Sequence, residues 1–154
     1  MSDGPNETLE RFLSVQGGIP FFAALGASMV EAVPGRSVMR LPYAPHLIGN
    51  PDTGVVHGGA ITGLLDHACG MAVSSGVEAE RPNSLYGMRG LATLDLRIDY
   101  LRAAKPGADI FVVGECIRVT PRIAFARGRA YQESEEAPIA LATGAFMITE
   151  PRTG

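Results

Sequence analysis

The sequence predicts an α+β fold in which one central helix lies against an antiparallel sheet. Three observations carry this. Within residues 58–75, Ile61, Leu64, Leu65, Ala68 and Ala72 recur at i, i+3, i+4 and i+7, the spacing of one helix face. Within residues 92–101, Leu94, Leu96, Ile98 and Tyr100 alternate with Thr93, Asp95, Arg97 and Asp99, the period of a strand. Two extended segments precede the helix and four follow it, with short connections that make successive strands antiparallel neighbours.

In chain order, residues 6–16 (NETLERFLSVQ) place Leu9, Phe12 and Leu13 at helical spacing behind a capping Asn6, so residues 1–19 read as a helical N-terminal extension. GGIPFFAALG follows as a turn and a short apolar stretch. ASMVEAV and RSVMRLPY flank the turn signal Pro34-Gly35 and read as a strand pair. APHLIGNPDTG, rich in Pro, Gly and Asn, reads as a loop. The other faces of the helix carry Ala60, Gly63, Cys69, Gly70, Met71 and Val73, so it is apolar nearly all round and reads as buried. Its small residues permit a sheet to wrap closely. After the polar connection VEAERPNSLYGMRG come four strands, separated at Lys105-Pro106-Gly107, Thr120-Pro121 and Glu135-Glu136-Ala137. There is no internal repeat, so all of 1–154 reads as one domain.

Composition narrows the function. A net charge of −3 argues against general attraction to nucleic acid. No apolar run approaches the length of a membrane span, and the N-terminus lacks the pattern of a signal peptide. Cys69 and Cys116 lack CxxC spacing and read as free thiols in a reducing compartment, the cytoplasm by default. His46, His57 and His67 lack metal-ligand spacing, so no metal is expected. Ser74 and Ser75 lack a G-x-S-x-G context, and no phosphate-binding glycine motif is present.

What remains is the segment GVVHGGAITGLLDHA, residues 54–68. Aspartate is a poor helix former and costly to bury, yet Asp66 sits among Leu65, Ala68 and other apolar residues. On an ordinary helix such a residue faces solvent or makes a structural hydrogen bond; here the neighbours leave little wet face. His57, Gly58 and Gly59 stand at the helix start, where backbone N–H groups lack intrahelical partners and the macrodipole is positive. A glycine there lets a substrate oxygen approach, as in an oxyanion hole, although a glycine-rich turn is the commoner occupant of such a place. Gly58 and Asp66 are eight residues apart, about 12 Å along a helix, whereas reacting atoms meet at about 3–3.5 Å. If both serve one reaction, a twofold axis must bring two copies together.

The motif Asn50, Gly54, His57, Gly58, Gly59, Leu65, Asp66, Ala68, followed by Thr93, Asp95, Leu96, Ile98, Tyr100, Leu101, Arg102, Ala104, Gly107, resembles the hotdog-fold thioesterases of the PaaI (phenylacetic acid pathway) type over residues 20–149. The resemblance implies a curved antiparallel sheet around a long central helix, a homodimer with shared sites that commonly pairs again into a tetramer, and hydrolysis of an acyl-CoA thioester. Coenzyme A is then part of the substrate, and no separate cofactor is implied. It makes Asp66 the nucleophile or general base and the Gly58 N–H the donor to the thioester oxygen. Asn50 places the thioester or water, His57 supports that arrangement, and the Thr93 hydroxyl lies near Asp66. Between Asn50 and His57 this chain has one residue more than the family's shorter form. Gly59 is a further substrate contact. Arg102, Lys105 and Arg122 near strand ends are candidates for the phosphates of coenzyme A, with solvated surface charge as the commoner alternative. Phe21, Phe22 and Tyr86 are acyl-pocket or core candidates. Cys69, three residues after Asp66, reads as a buried thiol. Two rival functions are an acyl-CoA-binding hotdog protein without turnover and a hotdog hydratase or dehydratase. The second needs a carboxylate and a histidine on one centre, and Asp66 and His67 project about 100° apart.

Overall fold

Proline and glycine punctuate the chain where the sequence places turns. Gly35, at φ +76°, closes the hairpin between β1 (Ser28–Val33) and β2 (Arg36–Leu41). The computed structural model describes Glu10, Ser14, residues 19–81 and residues 90–149. Of the expected helix at 6–16, Glu10 and Ser14 are helical and the remainder lies outside the described residues, as does Tyr86.

The short apolar stretch is a six-residue helix, α1 (Pro20–Leu25), with proline in its first turn and Gly26 in the left-handed conformation just past its end. The expected loop at 44–54 contains a 3-10 turn (Pro45–Leu47) and a small pair, β3 (Ile48–Asn50) with β4 (Val55–Val56). The turn between these strands ends at Gly54, φ +73°.

The central helix, α2, runs Gly58–Glu80, five residues beyond the expected end. Its second half is held by the strand pair. Ser75 Oγ accepts from the Gly35 N–H at 3.0 Å, and it lies 3.1 Å from the Val33 and Ala72 carbonyl oxygens. At the far end Arg81 donates to the carbonyls of Thr120 and Pro121.

After α2 come β5 (Leu91–Tyr100), β6 (Ile110–Val119), β7 (Ile123–Tyr131) and β8 (Ala140–Ile148). The six long strands form one antiparallel sheet in the order β1-β2-β6-β7-β8-β5. One expected neighbour relation fails. β5 pairs with β8 rather than β6, because residues 101–109 are long enough to carry the chain from the β5 edge past β8 and β7 to β6.

Leu64, Leu65, Ala68 and Met71 of α2 pack with Met39, Leu41, Ile110 and Val112, while Cys69, Val73 and Val77 pack with Ala124, Ala126 and Phe146. Each fully buried leucine contributes about 1.5–3 kcal/mol through apolar burial. The alanine and glycine strips of β7 and β8 face this helix. A Cβ on Gly114 would lie 2.3 Å from the Ala68 carbonyl oxygen, and one on Gly128 would lie 3.0 Å from Cys69 Sγ. Ser37 Oγ donates to the same Ala68 carbonyl at 2.8 Å. Small sheet residues thus let the sheet wrap the helix.

Candidate active site

α2 begins where His57, in extended conformation, caps it. Its Nδ1 accepts the Gly59 N–H at 2.8 Å, which requires the ring proton on Nε2. The His57 N–H donates to the Leu47 carbonyl at 2.7 Å. Behind it, a Cβ on Gly49 would lie 2.7 Å from His57 Cα, so the imidazole is seated against bare backbone. Gly58 follows as the first helical residue, and among the described residues its N–H meets no acceptor. That donor sits at the positive end of the macrodipole. The Gly58 carbonyl accepts the Tyr100 hydroxyl at 2.6 Å, and the same hydroxyl forms a short hydrogen bond with Thr62 Oγ1. Beside Gly58 lies a cavity of about 280 Å³, lined by residues that include Val56, Ile61, Tyr100, Leu101 and Arg102.

Two turns further on, Asp66 is half-buried rather than enclosed. Its Oδ1 accepts the Thr93 hydroxyl at 2.8 Å. The helix is therefore not apolar all round: Gly59, Thr62, Gly63 and Asp66 form a partly open stripe, touched by the sheet only where Thr93 and Tyr100 of β5 reach it. Phe21, 58% exposed, rests on this stripe, and a Cβ on Gly63 would lie 2.7 Å from its ring.

Thr93 reaches Asp66 because β5 is bulged. Its register against β8 slips between Thr93 and Asp95, so Thr93 pairs opposite Phe146 while Leu96 pairs opposite Gly144. Strict alternation places Thr93 on the face opposite Leu96. The extra residue, Leu94, restores Thr93 to the helix side and is itself 53% exposed. The expected alternation thus holds from Leu96 to Tyr100 and breaks at Leu94.

The neighbours of Asp66 do other work. Burial, and after it the charge of Asp66, push the Cys69 thiol up to about 12, so it is an inert core group. Burial lowers the His67 pKa against an opposing effect of Asp66, and its ring lies tilted against Phe22 with the centroids 4.7 Å apart. Asp66 bonds Thr93 of β5 and the His67 ring rests against Phe22 of α1, so the pair does not converge on one centre. His46 reaches the Ala24 carbonyl, so the three histidines point to three different places.

Asn50 belongs to the β3–β4 turn. Its Oδ1 accepts from the Asp52 N–H at 3.0 Å and the Thr53 N–H at 3.4 Å, and its NH₂ has no acceptor among the described residues. Arg102 donates to the Ala137 carbonyl and lines the cavity beside Gly58. Lys105 pairs with Glu133. Arg122 stands at the β6–β7 turn, by the C-terminal end of α2, and one chain does not bring it to the other two. Tyr100 and Thr62 were not singled out as site residues from sequence; the signal was a strand-end tyrosine whose face falls against the helix start.

Comparison with known proteins follows the same division. Residues 53–139, more than half of the chain, match the family model described as the thioesterase superfamily. The medium/long-chain acyl-CoA thioesterase YigI of Escherichia coli K12 is 30% identical over 135 residues, covering 84% of this chain and 86% of that protein. A crystal structure of a Pseudomonas aeruginosa protein superposes with a TM-score of 0.77 at 41% identity, covering 91% of this chain and 98% of that one. The E. coli PaaI protein, from the phenylacetic acid degradation operon, superposes with a TM-score of 0.76 and covers 94% of each chain; at 16% identity that likeness is one of fold.

Proposed function

This chain belongs to the thioesterase superfamily and has the hotdog fold, and from that premise we propose that it hydrolyses an acyl-coenzyme A thioester to the free acid and coenzyme A. The observation that carries the reading is the division of α2. A Gly58 N–H without a partner among the described residues stands at its start and a carboxylate held by Thr93 stands about 12 Å along it, with β5 reaching the helix at both places.

Asp66 acts in one of two ways. It attacks the carbonyl carbon, giving an acyl anhydride that water then opens, or it takes a proton from the attacking water. In both, the C–S bond breaks and the thiolate leaves to be protonated. The charge that develops on the carbonyl oxygen meets the partner subunit's Gly58 N–H. The Asn50 amide NH₂ orients the thioester or the water, and His57 keeps the helix start in place. Water is the sole co-reactant, so no resident cofactor enters.

A homodimer supports this chemistry. β5 is an edge strand, Leu94 within it and Leu101 just past its end are more than half exposed, and such an edge calls for cover. Pairing of dimers into a tetramer is part of the proposal. The cavity beside Gly58 suits the thiol-bearing arm of coenzyme A, with Gly59 leaving room at the helix start and Arg102 foremost among the phosphate contacts; Lys105 and Arg122 stand further out. Two free cysteines fit a cytoplasmic setting, and among the described residues no helix is long and apolar enough to cross a membrane.

The test is thiol release over a panel of aliphatic and aromatic acyl-CoAs, medium and long chains included. Turnover of at least one member is expected, lost in a folded Asp66→Ala variant. Binding without turnover across the panel would make the protein an acyl-CoA carrier instead.

A further inference from the structure

Resting on the thioesterase reading, we propose that Tyr100 is a positioning residue that fixes the oxyanion donor by clamping the Gly58–Gly59 peptide. Two consecutive glycines at a helix start are the least constrained pair a chain can present. Here the peptide unit that joins them is held at both ends. Its carbonyl, on Gly58, accepts the Tyr100 hydroxyl at 2.6 Å, and its N–H, on Gly59, donates to His57 Nδ1 at 2.8 Å. The adjoining unit carries the Gly58 N–H, which has no partner among the described residues, and fixing one peptide limits the rotation of the next. The phenol is held in turn by the short hydrogen bond to Thr62 Oγ1. Its ring fills the space a side chain would take: a Cβ on Gly58 would lie 3.1 Å from Tyr100 Cζ and from its hydroxyl oxygen.

The backbone behind Tyr100 is fixed as well, since the Leu101 and Arg102 N–H groups both donate to the Ile139 carbonyl. A tyrosine that is 51% exposed at a strand end is free to point its hydroxyl at solvent; this one turns it onto the helix start, at the wall of the cavity. The glycines supply access and the phenol removes the freedom that comes with them.

Tyr100→Phe keeps the ring and removes the hydroxyl. With an acyl-CoA that the wild type turns over, kcat is expected to fall about tenfold while KM stays within about twofold, because the lost alignment acts on the oxyanion rather than on the bound ester. The melting temperature is expected to hold, and Gly59 amide exchange to quicken. Thr62→Val, which removes the phenol's second partner at constant volume, lowers kcat in the same sense, and Thr62→Ser restores it. If Tyr100→Phe unfolds at the assay temperature, the Thr62 pair decides. Unchanged kcat in Tyr100→Phe with an active wild type overturns this inference alone. A wild type inactive on the whole panel overturns the thioesterase reading and this inference with it.

Discussion

The start of α2 and its Asp66 turn are built on opposite principles. In the proposed reaction the group offered at Gly58 is a backbone N–H, so the sequence contributes by omission: no side chain at Gly58 or Gly59, and no Cβ at Gly49 to displace His57. At Asp66 the working group is a side chain, and the fold contributes a bulge that turns Thr93 toward it. The same strand serves both, with Thr93 near one end and Tyr100 at the other. A backbone site is destroyed by adding atoms and a side-chain site by removing them, which gives each end its own form of damage.

The largest expected effect tests whether the two ends meet in different subunits. Asp66→Ala and Gly58→Pro are each expected to lose about 10²–10³-fold or more in kcat. Proline is acceptable at the first helical position and removes the N–H, although Tyr100 must shift to admit its ring. Unfolded, mixed and refolded in equal amounts, half of the dimers are mixed. In each mixed dimer one site carries both defects and the other carries none, so about a quarter of wild-type activity returns. No recovery in verified heterodimers, with both variants folded, would place both groups of one reaction in one chain.

A smaller effect separates the carboxylate from the residue that holds it. Thr93→Val removes the hydroxyl bonded to Asp66 and keeps the volume, while Thr93→Ser keeps the hydroxyl. Valine is expected to lower kcat about tenfold and serine to retain most of it. Equal kinetics for the two variants would show that Asp66 needs no partner on β5.

Periodicity made α2 and the strands legible, and the rise along a helix alone separated Gly58 from Asp66, because both depend on local geometry that residue order fixes. The Thr93–Asp66 contact was not legible as geometry. A bulge reverses the face of every residue on one side of it, and nothing in TLDLRIDY marks Leu94 as the extra residue. The β5–β8 pairing was missed for a related reason: strand order is decided by long-range packing that a local turn signal does not encode. The clamp on the glycine pair has the same origin, since it joins residues 42 apart.

The smallest effect concerns a region that neither end of α2 uses, and it tests whether the site's damage is local. On the outer face of the sheet, Glu115 and Glu135 bond Arg36, Arg127 and Arg129. Burial raises the carboxyl pKa of each. The hydrogen bond from Arg127 and the charges of Arg129, Arg127 and Arg36 outweigh it at Glu115, and Arg129 and Arg36 outweigh it at Glu135, so both are held below the usual range. A carboxylate depressed on folding adds stability that is present above its unfolded pKa of about 4.3 and is lost as pH falls through its lower folded value. The melting temperature should therefore decline below about pH 4.3, and Glu115→Gln should remove part of that decline. Because Arg36, Arg129 and the two carboxylates are partly exposed, the variant should cost on the order of 1 kcal/mol at neutral pH. That is about 2–4 °C of melting temperature, read by calorimetry. Its kcat should match the wild type, since Glu115 lies on the face turned away from α2, next to Gly114, which touches it. A fall in kcat comparable to that of Thr93→Val would mean that the outer face and the helix are coupled through the sheet, and that neither end of α2 is an independent unit.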